Sequence, residues 1–210
     1  MANFDLETVD RLLSTTRAVR KRLDLDRPVE KEVILDCIRL SQQAPTAHDS
    51  QTWRWIVIDD QDLKNALAED FAKALPTIEK MRLHASTARE NRFWDSVEFL
   101  TANLAKVPVL AIPCVQASQE ERELGGPTTL YGSIFPAIWS FQLALRSRGL
   151  GSCLTTQHLL VRENSDRLLG LPEDVEQIAL LPVAYTKGTD FKVTDRPPPE
   201  TITSFNGWSN

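Results

Sequence analysis

Ala44-Pro45-Thr46-Ala47-His48-Asp49-Ser50-Gln51-Thr52-Trp53-Arg54-Trp55-Ile56-Val57-Ile58 contains a helix stop, a loop and a strand in direct succession. Pro45 disfavours the helical region for Ala44 and so ends the helix before it. Residues 45–52 are small and polar, the composition of a loop. Trp53–Ile58 is aromatic and β-branched and is stopped by Asp59-Asp60, which marks a strand. A helix that runs through such a loop into a strand suits a mixed α+β chain.

Working upstream, residues 29–42 form a helix with Val33, Ile34, Cys37, Ile38 and Ser41 on one face. Asp26-Arg27-Pro28 is its start signal. A first helix over 5–14 places Leu6, Val9, Leu12 and Leu13 at helical spacing. Between the two lies a basic run, Thr15-Thr16-Arg17-Ala18-Val19-Arg20-Lys21-Arg22.

Downstream, 61–75 is helical, and 76–105 is a charge-rich helical stretch that reads as two helices with a joint. Val107–Val115 is nearly continuously apolar, as a central strand is, although Pro108 and Pro113 weaken it. Residues 117–127, acidic and glycine-containing, are expected to form a loop. Residues 128–148 form a long helix that is apolar on most of its surface, and such a helix is buried or in an interface. Pro136 is a candidate kink and Gly149 a C-cap. Strands over 150–156 and 175–185 flank a helix over 162–169, and a turn-rich tail covers 186–210. About four strands against six helices, loosely alternating, fit a single three-layer α+β domain over residues 1–210 better than a doubly wound sheet.

Composition narrows the function classes. The 210 residues carry a net charge of −5, with 42% hydrophobic and 25% charged residues. These proportions exclude a disordered, collagen-like or coiled-coil chain. The acidic balance argues against a nucleic-acid partner. No apolar run reaches the length of a membrane span, and the polar, acidic start has no signal-peptide pattern. Cys37, Cys114 and Cys153 are odd in number, far apart and set in apolar stretches. They are expected to be buried free thiols in a reducing cytoplasm.

Several familiar sites are missing from the sequence: a P-loop, a G-x-G-x-x-G after a strand, H-E-x-x-H, paired C-x-x-C, and G-x-S-x-G. Four polar segments remain. Arg17 and Arg20 stand three apart after a helix, and their guanidinium forks can converge on one phosphate. By itself the same run also reads as a solvated basic surface. Ala44–Trp53 alone is an ordinary helix-to-strand loop. Gly149-Leu150-Gly151-Ser152-Cys153-Leu154-Thr155-Thr156 alone is a cap entering a core strand. Asp195-Arg196-Pro197 alone is surface.

In order and spacing, the four together resemble the FMN-dependent nitroreductase family. Its R-[RS]-x-x-R segment is matched by Thr16-Arg17-Ala18-Val19-Arg20, with Thr16 replacing the first arginine and Ala18 the usual serine. Its A-P-S-x-x-N-x-Q-P-W is matched by Ala44–Trp53, with Asp49 replacing the asparagine. Gly149-Leu150-Gly151-Ser152 matches G-L-G-[ST], and Arg196-Pro197 matches the basic residue before proline near the C-terminus. Trp139-Ser140 stand where many relatives carry Gln-Asn. The resemblance covers about residues 10–202.

The resemblance implies a three-layer α/β/α fold with a mostly antiparallel sheet and an intertwined homodimer, the tail from about 186 extending along the partner. It implies FMN as cofactor and NADH or NADPH as reductant. The acceptor would be a small molecule such as a nitroaromatic, quinone or activated alkene. Arg17, Ala18, Val19, Arg20 and Arg196 would hold the phosphate and ribityl chain, with Arg17 or Arg20 near the flavin N1–O2 edge. Pro45, Thr46, Ala47 and Asp49 would come from the partner subunit. Leu154, Thr155 and Thr156 would face the ring near N5, and the helix over 128–148 would form much of the dimer interface. Residues 76–95 would cover the flavin face, with Met81, His84, Phe93 and Trp94 as candidates for substrate contact. The cofactor would carry the chemistry, so no catalytic side chain and no metal is expected. The alternatives are a flavin-storage dimer without turnover, or another enzyme on this fold such as a reductive dehalogenase or a flavin-consuming enzyme.

Overall fold

A computed structural model describes residues 4–208, apart from the side chains of residues 124 and 125. The ends of the N-terminal and tail readings, residues 1–3 and 209–210, lie outside the described residues. The order is α1 (Leu6–Thr15), α2 (Lys31–Ser41), β1 (Trp53–Ile58), α3 (Gln61–Ala72), α4 (Leu75–Arg82), α5 (Ala88–Asn103), β2 (Val109–Gln116), α6 (Gln119–Ser147), β3 (Leu150–Ser152), α7 (Arg162–Leu169), β4 (Val175–Gln177) and β5 (Leu181–Tyr185). The sheet runs β1-β2-β5-β3, with β4 also pairing β2, and every pairing is antiparallel.

Alternation along β2 creates the layers. Val109, Ala111 and Val115 join Ile34 and Cys37 of α2 and Ile134, Ile138 and Phe141 of α6 in one core. Leu110, Ile112 and Cys114 join Leu67 and Phe71 of α3 and Leu100 of α5 in the other. A strand buried on both faces needs an apolar residue at every position, which is why 107–115 reads as one continuous run. All three cysteines are buried and free. Burial raises the thiols of Cys37 and Cys153 to about 11 and that of Cys114 to about 12.

Four expectations need correction. Residues 117–127 are not a loop, because α6 begins at Gln119. Ser118 and Glu121 form a reciprocal capping box, with Ser118 Oγ accepting from the Glu121 N–H and Glu121 accepting from the Ser118 N–H. Ser118-x-x-Glu121 is the sequence signature of such a box. The helix is interrupted at Gly126 (φ 62°), with Pro127 at its restart, and not at Pro136.

The expected strand over 175–185 is two strands, β4 and β5. The break lies opposite Pro113, which has no N–H to offer the ladder. The Pro113 carbonyl still accepts from the Ile178 N–H at 2.9 Å, and Leu180 instead exchanges two hydrogen bonds with Thr155. That isolated bridge is also all that continues the expected strand over 150–156 past Ser152. No helix among the described residues is long and apolar enough to cross a membrane.

Candidate functional site

The basic run becomes a ledge along the outer edge of β3. The Val19 N–H donates to the Ser152 carbonyl at 2.8 Å, and Val19 is buried in the α3–α5 core. Gly151 makes this approach possible. A Cβ there would lie 2.7 Å from Thr186 Cγ2 and 3.0 Å from Val19 Cβ. The glycine of G-L-G-S is therefore a packing requirement of the ledge.

The two arginines of the ledge diverge. Arg20 turns to α5, where its Nη1 lies 3.4 Å from Ser96 Oγ and its guanidinium 5.2 Å from the centre of the Phe93 ring. Phe93 meets Trp94 edge-on at 5.0 Å. Arg17 turns to Phe191, 6.0 Å from the ring centre, and its Nε is buried without a partner. A pocket along the ledge is lined by Arg17, Ala18, Arg20, Arg22, Ser96 and Phe191. Thr16, in the place of the family's first arginine, donates its hydroxyl to the Leu12 carbonyl at 2.6 Å. It is committed to the end of α1.

At the opposite edge, the loop before β1 is held in an unusual conformation. His48, Asp49 and Gln51 all have positive φ, at 55°, 51° and 44°. Non-glycine residues adopt this region at a cost of roughly 1–3 kcal/mol each, and Asp tolerates it best of the three. Pro45, His48 and Asp49 are exposed, and Thr46 is half-buried. The Ala47 N–H donates to Ser133 Oγ of α6 at 3.0 Å. The Asp49 carboxylate accepts from Gln51 Nε2 at 3.3 Å. A second pocket here is lined by Ala47, His48, Ser50, Thr129 and Ser133, among others.

The two predicted halves are far apart within one chain. Trp53 pairs with Val115, whereas Ser152 pairs with Val183, which pairs with Val109. Ledge and loop thus sit at diagonally opposite corners of the sheet. They are separated by roughly 20 Å along the strands and roughly 14 Å across them.

The remaining predicted residues are placed as follows. Leu154 is half-buried against the α2–α6 core, Thr155 bridges Leu180, and Thr156 is exposed. Arg196 is exposed in the tail and takes part in no hydrogen bond or ion pair among the described residues. Phe93 joins the ledge, while Met81 and His84 lie exposed around the end of α4. On α6, Phe135 and Trp139 are exposed, so the helix presents an outward aromatic stripe as well as its buried face. Among the described residues there is no acidic, histidine or cysteine cluster fit for a metal.

Sequence reasoning missed Arg11, Arg22, Arg146 and Phe191. Arg146 comes from the last turn of α6 and reaches Thr189 in the tail. Basic residues in a helix's last turn are common for dipole reasons, so its spacing carried no distinguishing signal. Phe191 is a lone aromatic in a turn-rich tail.

Residues 13–185 match the Nitroreductase family. A 5,6-dimethylbenzimidazole synthase from Rhodospirillum rubrum is 29% identical over 134 residues, 59% of this chain and 58% of that protein. The match therefore spans little more than half the length of that relative. The structure of oxidized iodotyrosine deiodinase bound to FMN and 3-iodo-L-tyrosine superposes with a TM-score of 0.71 at 21% identity, covering 95% of this chain and all of that one. A mutant FMN and NADPH-dependent nitroreductase from a Sphigopyxis strain superposes at 0.72 with 16% identity, covering 95% of this chain and 99% of the other. At such identities the likeness establishes a shared fold.

Proposed function

The chain belongs to the nitroreductase family, and from that premise we propose that it is an FMN-dependent oxidoreductase working as a homodimer. NADH or NADPH would be the reductant and a small nitroaromatic, quinone or activated alkene the acceptor. The observation that carries this reading is the ledge. Arg17 keeps a buried Nε without a partner while Arg20 is held between Ser96 and Phe93 beside an open pocket. Fixed guanidinium forks next to an open pocket suit an anionic, aromatic ligand.

FMN fits this donor set. When bound, it accepts a hydride equivalent at N5 and passes it on. Arg17, Arg20 and Arg196 would hold its phosphate and ribityl chain, with Ala18 and Val19 lining the backbone of the ledge. Either ledge arginine would stabilise negative charge at the N1–O2 edge without moving, because its stem is already held. Leu154, Thr155 and Thr156 would border the ring.

The diagonal separation of ledge and loop supports a two-chain site. Pro45, Thr46, Ala47 and Asp49 would complete the pocket of the partner subunit, not their own. Exposed Phe135 and Trp139 on α6 and exposed Ile202 and Phe205 in the tail offer the apolar surface that such a dimer would cover. A cytoplasmic location agrees with three free thiols.

An anaerobic titration tests the reading. The purified protein is expected to bind FMN, to turn yellow, and to bleach on addition of NADH or NADPH. Protein that takes up no FMN overturns the flavin reading. Protein that binds FMN but does not bleach with either reductant is a storage dimer.

A second reading, in which bound flavin is itself consumed, draws on the sequence match to the dimethylbenzimidazole synthase. The product in that name contains the dimethyl-substituted benzene ring also present in flavin. Irreversible loss of the flavin spectrum when air is admitted after reduction separates it from simple turnover.

A further inference from the structure

Arg20 leaves the ledge toward α5 and is half-buried there. Its guanidinium carbon lies 5.2 Å from the centre of the Phe93 ring, and its Nη1 lies 3.4 Å from Ser96 Oγ. Phe93 and Ser96 stand three apart on α5 and so share a helix face. The Ser96 hydroxyl donates its one proton to the Phe93 carbonyl at 2.6 Å. Its lone pairs are thereby left for the guanidinium. A third neighbour is the fully buried Cys153, whose thiol burial raises to about 11 against the pull of the Arg20 charge. Such a thiol is neutral at pH 7.

Ring, hydroxyl and thiol are all uncharged. Two carboxylates flank Ser96 on the same helix, Asp95 and Glu98, but Arg82 of α4 takes both. Its Nη2 donates to Asp95 Oδ1 at 2.8 Å and its Nη1 to Glu98 Oε1. Among the described residues, Arg20 is in no ion pair. Arg22, on the same ledge, is paired with Asp190 at 2.5 Å. A carboxylate fixes a guanidinium firmly but offsets its charge at any nearby ligand. An aromatic face and a hydroxyl orient it and leave the positive charge whole.

We propose that Phe93 and Ser96 are positioning residues for Arg20, holding its undiminished charge at the N1–O2 edge of the flavin ring. This rests on the flavin reading, and it gives that edge to Arg20 and not to Arg17, which turns to Phe191. Phe93 then serves the cofactor through the arginine it holds.

The test is the two-electron reduction potential of the FMN-loaded protein, read by spectroelectrochemistry. Phe93 is 46% exposed, so replacing it leaves the core intact, and a Tm for each variant checks this. Phe93→Leu combined with Ser96→Ala is expected to lower the reduction equilibrium constant roughly tenfold, or about 30 mV for two electrons. Phe93→Tyr keeps the aromatic face and should stay within about twofold of wild type. In an Arg20→Gln background the same double substitution should change the constant by less than about twofold, because the group it acts through is gone. Should a variant release its flavin, its affinities for oxidised and reduced FMN give the same quantity by linkage.

An unchanged potential in the double variant overturns the proposal, as does a Phe93→Tyr potential that falls equally far. So does an equal drop in the Arg20→Gln background, the result expected if the two residues shape the site by packing alone. Arg20→Gln with an unmoved potential removes Arg20 from the ring edge and leaves the flavin reading intact. Wild type that takes up no FMN ends the flavin reading itself, and this assignment with it.

Discussion

The two edges of the sheet carry the two halves of the candidate site in opposite ways. At the β3 edge, the Arg17–Arg22 ledge is welded to the core: Val19 is buried, hydrogen-bonded to Ser152 and pressed against Gly151. At the β1 edge, Pro45–Gln51 is largely exposed, runs through three positive φ values, and is tied to α6 by the Ala47–Ser133 hydrogen bond. The ledge is positioned by the same contacts that stabilise the fold. The loop holds a costly backbone shape at the surface, where its own chain makes little use of it. Strain of that kind persists at ligand clamps and interfaces. Changes at the β3 edge should therefore register in stability, and changes at the β1 edge in ligand properties.

The largest effect is expected from His158, on the segment that continues from β3. It is 3% exposed, and neither ring nitrogen has a partner. Burial lowers its pKa from 6.5 to about 4. The unfolded chain binds the proton more readily, so the His158 contribution is fully present above about pH 6.5. It is lost as the pH falls through about 4, by roughly 3 kcal/mol in all. Urea unfolding at pH 7.5 and pH 5 should show about 2 kcal/mol of this loss in wild type, and His158→Leu should flatten it. An unchanged slope in the variant would show that His158 is not the group being titrated.

Gly151→Ala should come next. The new Cβ meets Val19 Cβ and Thr186 Cγ2, so the ledge or the strand must shift, at about 1–3 kcal/mol. A lower midpoint in the same unfolding assay, accompanied by weaker FMN binding, is the expected outcome. Loss of stability with intact FMN binding would uncouple the ledge from the site.

Asp49→Asn should give the smallest effect, and one of a different kind. The carboxylate sits at the surface, bonded to Gln51, and stability should change by less than about 0.5 kcal/mol. If Asp49 reaches the partner's flavin, removing its charge should ease formation of the anionic reduced ring. The two-electron potential would then rise by on the order of 20 mV, equivalent to about 1 kcal/mol. Spectroelectrochemistry that finds the potential unmoved would return Asp49 to the role of a turn residue.

Much of this architecture was legible before any coordinates. The fully apolar run before Gln116 predicted a strand covered on both faces, because burial on two sides demands apolar residues at consecutive positions. The joint between α4 and α5 showed as a change of pattern within 76–105. The break between β4 and β5 was not legible from its own residues. Its cause, Pro113, lies on another strand, and only the register brings them together. The start of α6 is marked in the sequence by Ser118-x-x-Glu121, and the glycines that made 117–127 read as a loop interrupt the helix at Gly126 alone.

By itself the sequence determined the layers, the antiparallel α+β class, the family, and the four segments that resemble a flavin site. Each of these rests on local chemistry or on order along the chain. Tertiary structure alone decided which charges meet. Arg17 and Arg20, three residues apart, point to different elements, whereas Arg17, Arg22 and Arg146 converge from distant positions onto Phe191. It also put the ledge and the Pro45 loop at opposite corners. Electrostatic effects fall with distance through space, not along the chain, so neither result could be read from spacing.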